Sequence, residues 1–313
     1  MKQVAQHTKK GESLRVFYEH IRNRDLSTAQ RLIDSILGED TSTEVITAYK
    51  CLSFWQDRID SVQKEQDLLS QGEFYIAQWH HFKKFTEHLG SYTPHCQFAF
   101  QHYAFSQAIA FFMDFQKTLK NKDPKLSIRI AYCYRCMGQY AQAIQYYKQC
   151  ITYNKEDAKL YAELADTYAL FGEINLAKLL FREALFIDPQ KINFQHLESS
   201  VFLTLFEDVK ALNMQDNEAK EWLIIYGILW GILNIKRELR PIEQGNIKQK
   251  IYQLEWEVKE NKDAQPELIP RLLTQYFRIL EQYTTFSINE KLAQEYLLKI
   301  RSIAPEIYTL YIQ

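Results

Sequence analysis

Residues 124–191 decide how this chain folds. They read PKLSIRIAYCYRCMGQYAQAIQYYKQCITYNKED (124–157) followed by AKLYAELADTYALFGEINLAKLLFREALFIDPQK (158–191). Gly138 and Gly172 stand 34 residues apart, and so do Ala131 and Ala165, Tyr134 and Tyr168, Ala143 and Ala177, and Tyr147 and Phe181. Coincidence at one spacing marks an internal repeat, and a period of about 34 residues signals a stacked pair of helices. Within the second unit Tyr161, Leu164, Ala165 and Tyr168 fall at i, i+3, i+4 and i+7, the stripe of an amphipathic helix. Phe171-Gly172-Glu173 interrupts it, with glycine supplying a left-handed turn. A second stripe follows at Ile174, Ala177, Phe181, Ala184 and Leu185, where small alanines let the paired helices approach and Phe181 fills the space between. Pro189 and Pro124 cannot extend a preceding helix and can open the next one.

These positions resemble the tetratricopeptide repeat family. The second unit carries Tyr161, Leu164, Ala165, Tyr168, Gly172, Ala177, Phe181, Ala184 and Pro189 at the family's spacing. The first keeps Ala131, Tyr134, Gly138, Tyr140, Ala143 and Tyr147, with Ser127, Cys150 and Lys155 departing from it. The resemblance implies an all-α fold, a right-handed α-solenoid of stacked helical hairpins with divergent flanking repeats.

Composition agrees with helices. The 313 residues include only 9 Gly and 7 Pro, 46% are hydrophobic and 25% charged. That is too apolar for disorder and too poor in turn formers for a β-sandwich. Working outward, residues 1–123 are expected to form divergent helical hairpins and 124–191 the two clear repeats. An irregular helical region should cover 192–260, with an apolar helix at 222–235, and a degenerate hairpin 271–313. Ala29 and Gly72 stand where the pattern places its small residue and its turn glycine. Ser27 with Gln30, and Ser287 with Glu290, fit capping boxes. Pro241–Gly245 and Asn261–Pro270 read as linkers.

The charges, 38 basic against 39 acidic, leave a formal net charge of −1, without the basic excess of a nucleic-acid binder. No nucleic-acid partner is expected. Five scattered cysteines read as reduced thiols, and the polar N-terminus lacks a secretory leader, so a cytoplasmic location is expected. WLIIYGILWGILNI, residues 222–235, is 14 residues long, short of the roughly 20 that span a membrane. It is read as a buried helix, with no transmembrane segment, and a homodimer contact through Trp222–Ile235 stays open.

Two features could carry chemistry. Cys133 and Cys136 form a C-x-x-C, but inside a helix and without partner ligands, so structural thiols are expected. His81, His88, His95 and His102 recur every seven residues, which on one helix sets neighbours about 10.5 Å apart, too far to share a metal. The run is also interrupted at 90–94. Phosphate-binding glycine loops and catalytic triads are absent from the sequence. No enzyme activity, cofactor or metal is expected.

What remains is the surface that the resemblance implies. Helical hairpins rotate slightly against one another, and their first helices line a concave groove. In this sequence Lys125, Ile128, Arg129, Tyr132 and Arg135 would face it from the first clear unit, and Lys159, Ala162, Asp166 and Ala169 from the second. Leu14, Arg15, Tyr18 and Arg22 are the N-terminal counterparts. The expected function is a non-catalytic scaffold or adaptor binding a peptide or partner helix in that groove. A peptide-responsive regulatory sensor and a membrane-associated assembly adaptor are the alternatives. The carboxylate clamp of one family subset needs Lys and Asn where this chain has Ile128 and Tyr132, then Ala162 and Asp166. A groove selecting acidic and aromatic segments fits better.

Overall fold

The computed structural model describes residues 2–89, 92–121 and 123–313, and for residues 2–10 the backbone alone. The fold is all-α: 80% of the chain is helical, with 15 α-helices and no strand among the described residues. Two compact units divide it, Met1–Cys150 and Ile151–Gln313, and the boundary falls inside a helix of the first clear repeat.

The first unit holds α1 (Lys2–Arg22), α2 (Leu26–Glu39), α3 (Thr43–Val62), α4 (Leu68–Thr86), α5 (Pro94–Thr118), α6 (Pro124–Cys136) and most of α7 (Tyr140–Tyr153). Short polar side chains set the starts: Asp25, Asp67, Thr93 and Asp123 each accept a backbone N–H of the helix that follows. Neighbours in sequence pack as neighbours in space from α1 to α6, and α1 also packs on α5. The core is aromatic: Trp55 lies 5.5 Å from both Phe82 and Tyr103, and Phe82 lies 5.5 Å from Phe100, ring centre to ring centre. Such rings account for the chain's heavy Phe and Tyr content, since each buries a large area per position.

The second unit holds α8 (Ala158–Leu170), α9 (Ile174–Ile187), α10 (Ser200–Lys210), α11 (Asp216–Leu229), α12 (Pro241–Glu260), α13 (Gln265–Glu281), α14 (Glu290–Ile303) and α15 (Pro305–Ile312). α8 and α9 form the hairpin read from the sequence. Gly172 turns between them at φ 93°, a left-handed conformation that a β-branched residue resists. Phe181 is fully buried and stacks on Phe202 of α10 at 3.9 Å. α13 packs on α11, α12 and α14, and Leu272, Leu273, Phe277, Ile279 and Leu280 along it are fully buried.

A buried ion network crosses this unit. Arg182 of α9 pairs with Glu281 of α13 and donates to the carbonyl of Leu233, while Arg237 bridges Glu183 at 2.9 Å and Glu243 at 2.8 Å. Four side chains from three helices thereby hold the segment between α11 and α12, which has no regular structure of its own. Burial of one half of such a pair without the other would be costly, so the network fixes this connection.

Several sequence expectations change. Pro241–Gly245 is not a linker, since Pro241 opens α12, and of Asn261–Pro270 only Asn261–Ala264 connects helices: Pro266 opens α13 and Pro270 lies inside it. A proline in a first turn loses no hydrogen bond, so it marks a helix start as readily as a gap. The apolar helix at Trp222–Ile235 stops at Leu229. Gly231 takes φ 69° and the chain folds back, so that the N–H of Leu233 donates to the carbonyl of Gly227 at 2.8 Å. A Cβ on Gly227 would meet the Leu233 side chain at 2.6 Å. The two glycines therefore serve a turn and its packing.

Gly72 is not a turn glycine either. It lies within α4, where a Cβ would come within 2.3 Å of the Phe112 ring. Ile174, assigned to the buried stripe of α9, is exposed. The caps also shift: Asp25 rather than Ser27 caps α2, and Asn289 rather than Ser287 caps α14. The interruption at 90–94 falls partly on Gly90 and Ser91, outside the described residues.

Candidate interaction surface

A cavity of about 590 Å³ opens in the first unit between α1 and the first turns of α3 and α5. On α1 its lining recurs every three or four residues, at Leu14, Arg15, Tyr18 and Arg22, so that one helix face supplies it. Glu44 comes from α3, and His95 and Phe98 from α5. Leu14 and Tyr18 are nearly buried and make an apolar floor. The Tyr18 hydroxyl bonds to Thr93 and Cys96, and burial pushes its pKa up, so it stays neutral.

The rim is polar and loosely held. Arg15 lies 3.8 Å from Glu19, an exposed pair whose energy is small. The Arg22 guanidinium lies 5.6 Å from the centre of the Phe98 ring, a cation–π contact at an exposed site. Phe98 itself is 43% exposed, unusual for a large aromatic on a packed helix. One turn further along α5, His102 has its pKa lowered by burial and by the Arg22 cation, so its ring is neutral near pH 7. Arg15, Tyr18 and Arg22, the N-terminal groove residues read from the sequence, thus line one cavity.

α6 presents a different picture. Arg129 is engaged with Glu73 of α4, and Lys125 is exposed at the first turn. Tyr132 is half-buried, its ring edge-on to Phe105 at 5.6 Å, and burial pushes its pKa up. Arg135 is only 2% exposed, with its guanidinium 5.4 Å from the centre of the Tyr132 ring. The expectation of an accessible Arg135 at a groove centre is corrected: it is a core arginine.

In the second unit Lys159 is exposed, 3.8 Å from Glu163. Asp166 is fully buried and accepts the backbone N–H groups of Ser199 at 2.8 Å and Glu198 at 3.1 Å, which positions the start of α10. It faces packed protein rather than a groove, and Ala162 beside it is also buried. The reason is that α8 is buried without a break from Ala162 to Tyr168, so both of its sides pack. One apolar stripe in the sequence did not reveal the second contact side.

Cys133 and Cys136 are buried, and burial pushes the Cys133 thiol up, away from the thiolate form that nucleophilic attack or metal ligation needs. Among the described residues no three His, Cys, Asp or Glu side chains gather as a metal site. No described helix is long and apolar enough to cross a membrane. Sequence reading missed Glu44, His95 and Phe98 as cavity residues. Phe98 sits in a stretch of α5 with apolar residues on every side, so no periodicity singles it out.

Residues 137–201 match the family model described as tetratricopeptide repeat. Comparison with curated proteins and with solved structures finds no match. Tetratricopeptide repeats mediate protein–protein interactions on a scaffold that is typically non-catalytic.

Proposed function

We propose that this chain, which carries tetratricopeptide repeats over residues 137–201, is a non-catalytic scaffold or adaptor that takes up a peptide or partner helix. The receiving surface is the α1–α3–α5 cavity, with Arg15, Tyr18 and Arg22 as its central residues. One observation carries the reading: a cavity of about 590 Å³ combines an apolar floor with an exposed Phe98 and two arginines that, among the described residues, make one weak ion pair and one aromatic contact. Arg and aromatic side chains are the types enriched at binding hot spots. Arg129, tied to Glu73, and the buried Arg135 have less to offer a partner.

The chemistry favours a segment with an aromatic or aliphatic anchor and a carboxylate. The anchor would lie on Leu14 and Phe98, and the carboxylate would meet a guanidinium, which can bind it bidentately. The test is selection of peptides on the full chain from a displayed random library, followed by titration. Acidic-aromatic peptides should emerge, and Arg22→Glu should weaken them at least tenfold with an unchanged melting temperature. Equal binding by Arg22→Glu and by Phe98→Ala would place the receiving surface elsewhere.

A further inference from the structure

One helix of the second unit keeps large apolar side chains in water. α12 packs on α13 and buries Ile247, Ile251 and Leu254. On its opposite side Ile242, Tyr252 and Trp256 are 69%, 71% and 64% exposed. Ile242, Gly245, Gln249, Tyr252 and Trp256 follow at intervals of three, four, three and four, the spacing that keeps residues on one helix face. Single exposed apolar residues are ordinary on a surface, but three of this size along one strip mark an interaction site.

Gly245 lies within that strip, and nothing stands within 4 Å of where its Cβ would be. The packing of the described residues therefore does not require glycine there, and glycine weakens a helix relative to alanine. A small residue on an outer face does, however, leave a hollow for a large side chain from another helix. None of the five positions carries a charge, so a partner must present an uncharged face as well. Around the strip α12 carries four Glu and three Lys, an acidic balance that does not suit an anionic lipid surface.

We propose that this face binds a second copy of the same chain, α12 against α12 in antiparallel orientation. Setting Gln249 beside Tyr252 of the other copy also sets Gly245 beside Trp256 and Ile242 beside Lys259, and two-fold symmetry makes each contact twice. The indole then fills the hollow over the glycine. The amide meets the phenol hydroxyl, and the lysine stem covers the isoleucine with its ammonium in water. Lys248 of each copy comes alongside Glu255 of the other, opposite charges on one flank. A parallel pair would instead put Gly245 on Gly245, Trp256 on Trp256 and Lys259 on Lys259, which leaves a gap, a crowded level and a repulsion. The contact lies in the second unit and does not depend on what the α1–α3–α5 cavity takes up.

The area sets the strength. A fully buried aromatic side chain contributes about 150–250 Å², so Tyr252 and Trp256, about two-thirds exposed, offer roughly 100–170 Å² each. With Ile242 and the flanks one copy buries about 500 Å² and the pair about 1,000 Å², the lower limit of a specific interface. Such a dimer forms at micromolar concentrations and dissociates on dilution.

The experiment is sedimentation equilibrium of the full chain from low micromolar to submillimolar concentration. The weight-average mass should rise towards twice that of the chain. Trp256→Glu should weaken association about tenfold or more with unchanged helical circular dichroism. Gly245→Trp should weaken it as much, by filling the hollow. Combining Gly245→Trp with Trp256→Ala exchanges the large and the small residue, and association should return to within about threefold of the original, since the symmetry is kept. Arg22→Glu, in the other unit, should associate as the unaltered chain does. Gly245 and Trp256 are both exposed, so these variants keep the fold. A single-chain mass at every concentration, undiminished association of Trp256→Glu, or an exchanged variant that stays monomeric would each overturn the proposal. So would a monomeric chain that co-sediments with phosphatidylcholine–phosphatidylglycerol vesicles and loses them in Trp256→Glu, which would assign the face to a lipid surface.

Discussion

Replacing Phe181 with alanine tests the repeat register at its most sensitive point. The ring is fully buried, stacked face to face on Phe202 at 3.9 Å with 13° between planes, and edge-on to Phe194 at 6.1 Å. Phe194 stacks in turn on Phe206 at 4.0 Å. Truncation of a buried Phe costs about 3–5 kcal/mol, and the upper half of that range applies where neighbours cannot collapse into the space. Phe194 is itself held by Phe206, and Phe202 is fully buried, so little collapse is available. Phe181→Leu keeps most of the volume and loses mainly the ring pairing, which is worth about 0.5–1.5 kcal/mol. The assay is urea unfolding monitored by helical circular dichroism, with the midpoint falling and the slope unchanged. A loss under about 1 kcal/mol for Phe181→Ala, or an equal loss for the leucine variant, would mean that the ring does not fill the space between α9 and α10. A double-mutant cycle with Phe202→Ala should show coupling of about 0.5–3 kcal/mol, since the two rings touch.

The glycines and one carboxylate give further expectations. Gly172→Val should destabilise through backbone strain at φ 93°, although no atom lies within 4 Å of the new Cβ. Gly72→Ala should destabilise for the opposite reason: helix propensity favours alanine by about 1 kcal/mol, but the Phe112 ring stands 2.3 Å from the Cβ and must shift. Thermal melts of the two variants check both, and a Gly72→Ala protein as stable as the original would show that the ring moves freely. Arg237 and Arg240 hold the Glu243 carboxyl down at about 2, against an ordinary value of 4.5. A carboxylate depressed in the folded state contributes stability that is complete above its unfolded pKa and is lost as pH falls from about 5 towards 2. Arg237→Gln should therefore flatten the acid limb of a plot of melting temperature against pH, and an identical limb would refute the assignment.

How much of this was legible in the sequence depends on how local each feature is. Gly172 as a left-handed turn, and Phe181 and Leu164 as buried residues, could be read because a 34-residue period repeats the same local physics in a known order. The all-α class followed from the resemblance of the repeat, with which the scarcity of Gly and Pro agrees. Proline was ambiguous. At positions 241 and 266 it opens helices, and the sequence cannot distinguish a first turn from a gap, since neither requires the missing N–H.

Contacts between distant residues were out of reach. Gly72 looks like Gly138 in its sequence setting, yet one meets the face of Phe112, forty positions away, and the other turns at φ 74°. Arg135 and Asp166 carry charge and so read as surface, but tertiary packing closes over them, and Asp166 finds its partners at Glu198 and Ser199. The Arg182–Glu281 pair joins residues 99 apart. Gln275 is a glutamine like any other until the packing around α13 buries it. A sequence fixes periodicity, and with it which residues can share a helix face. Whether a polar group on that face meets water, a partner or an empty cavity is settled only when another segment arrives, because desolvation depends on every neighbour and not on those adjacent in the chain.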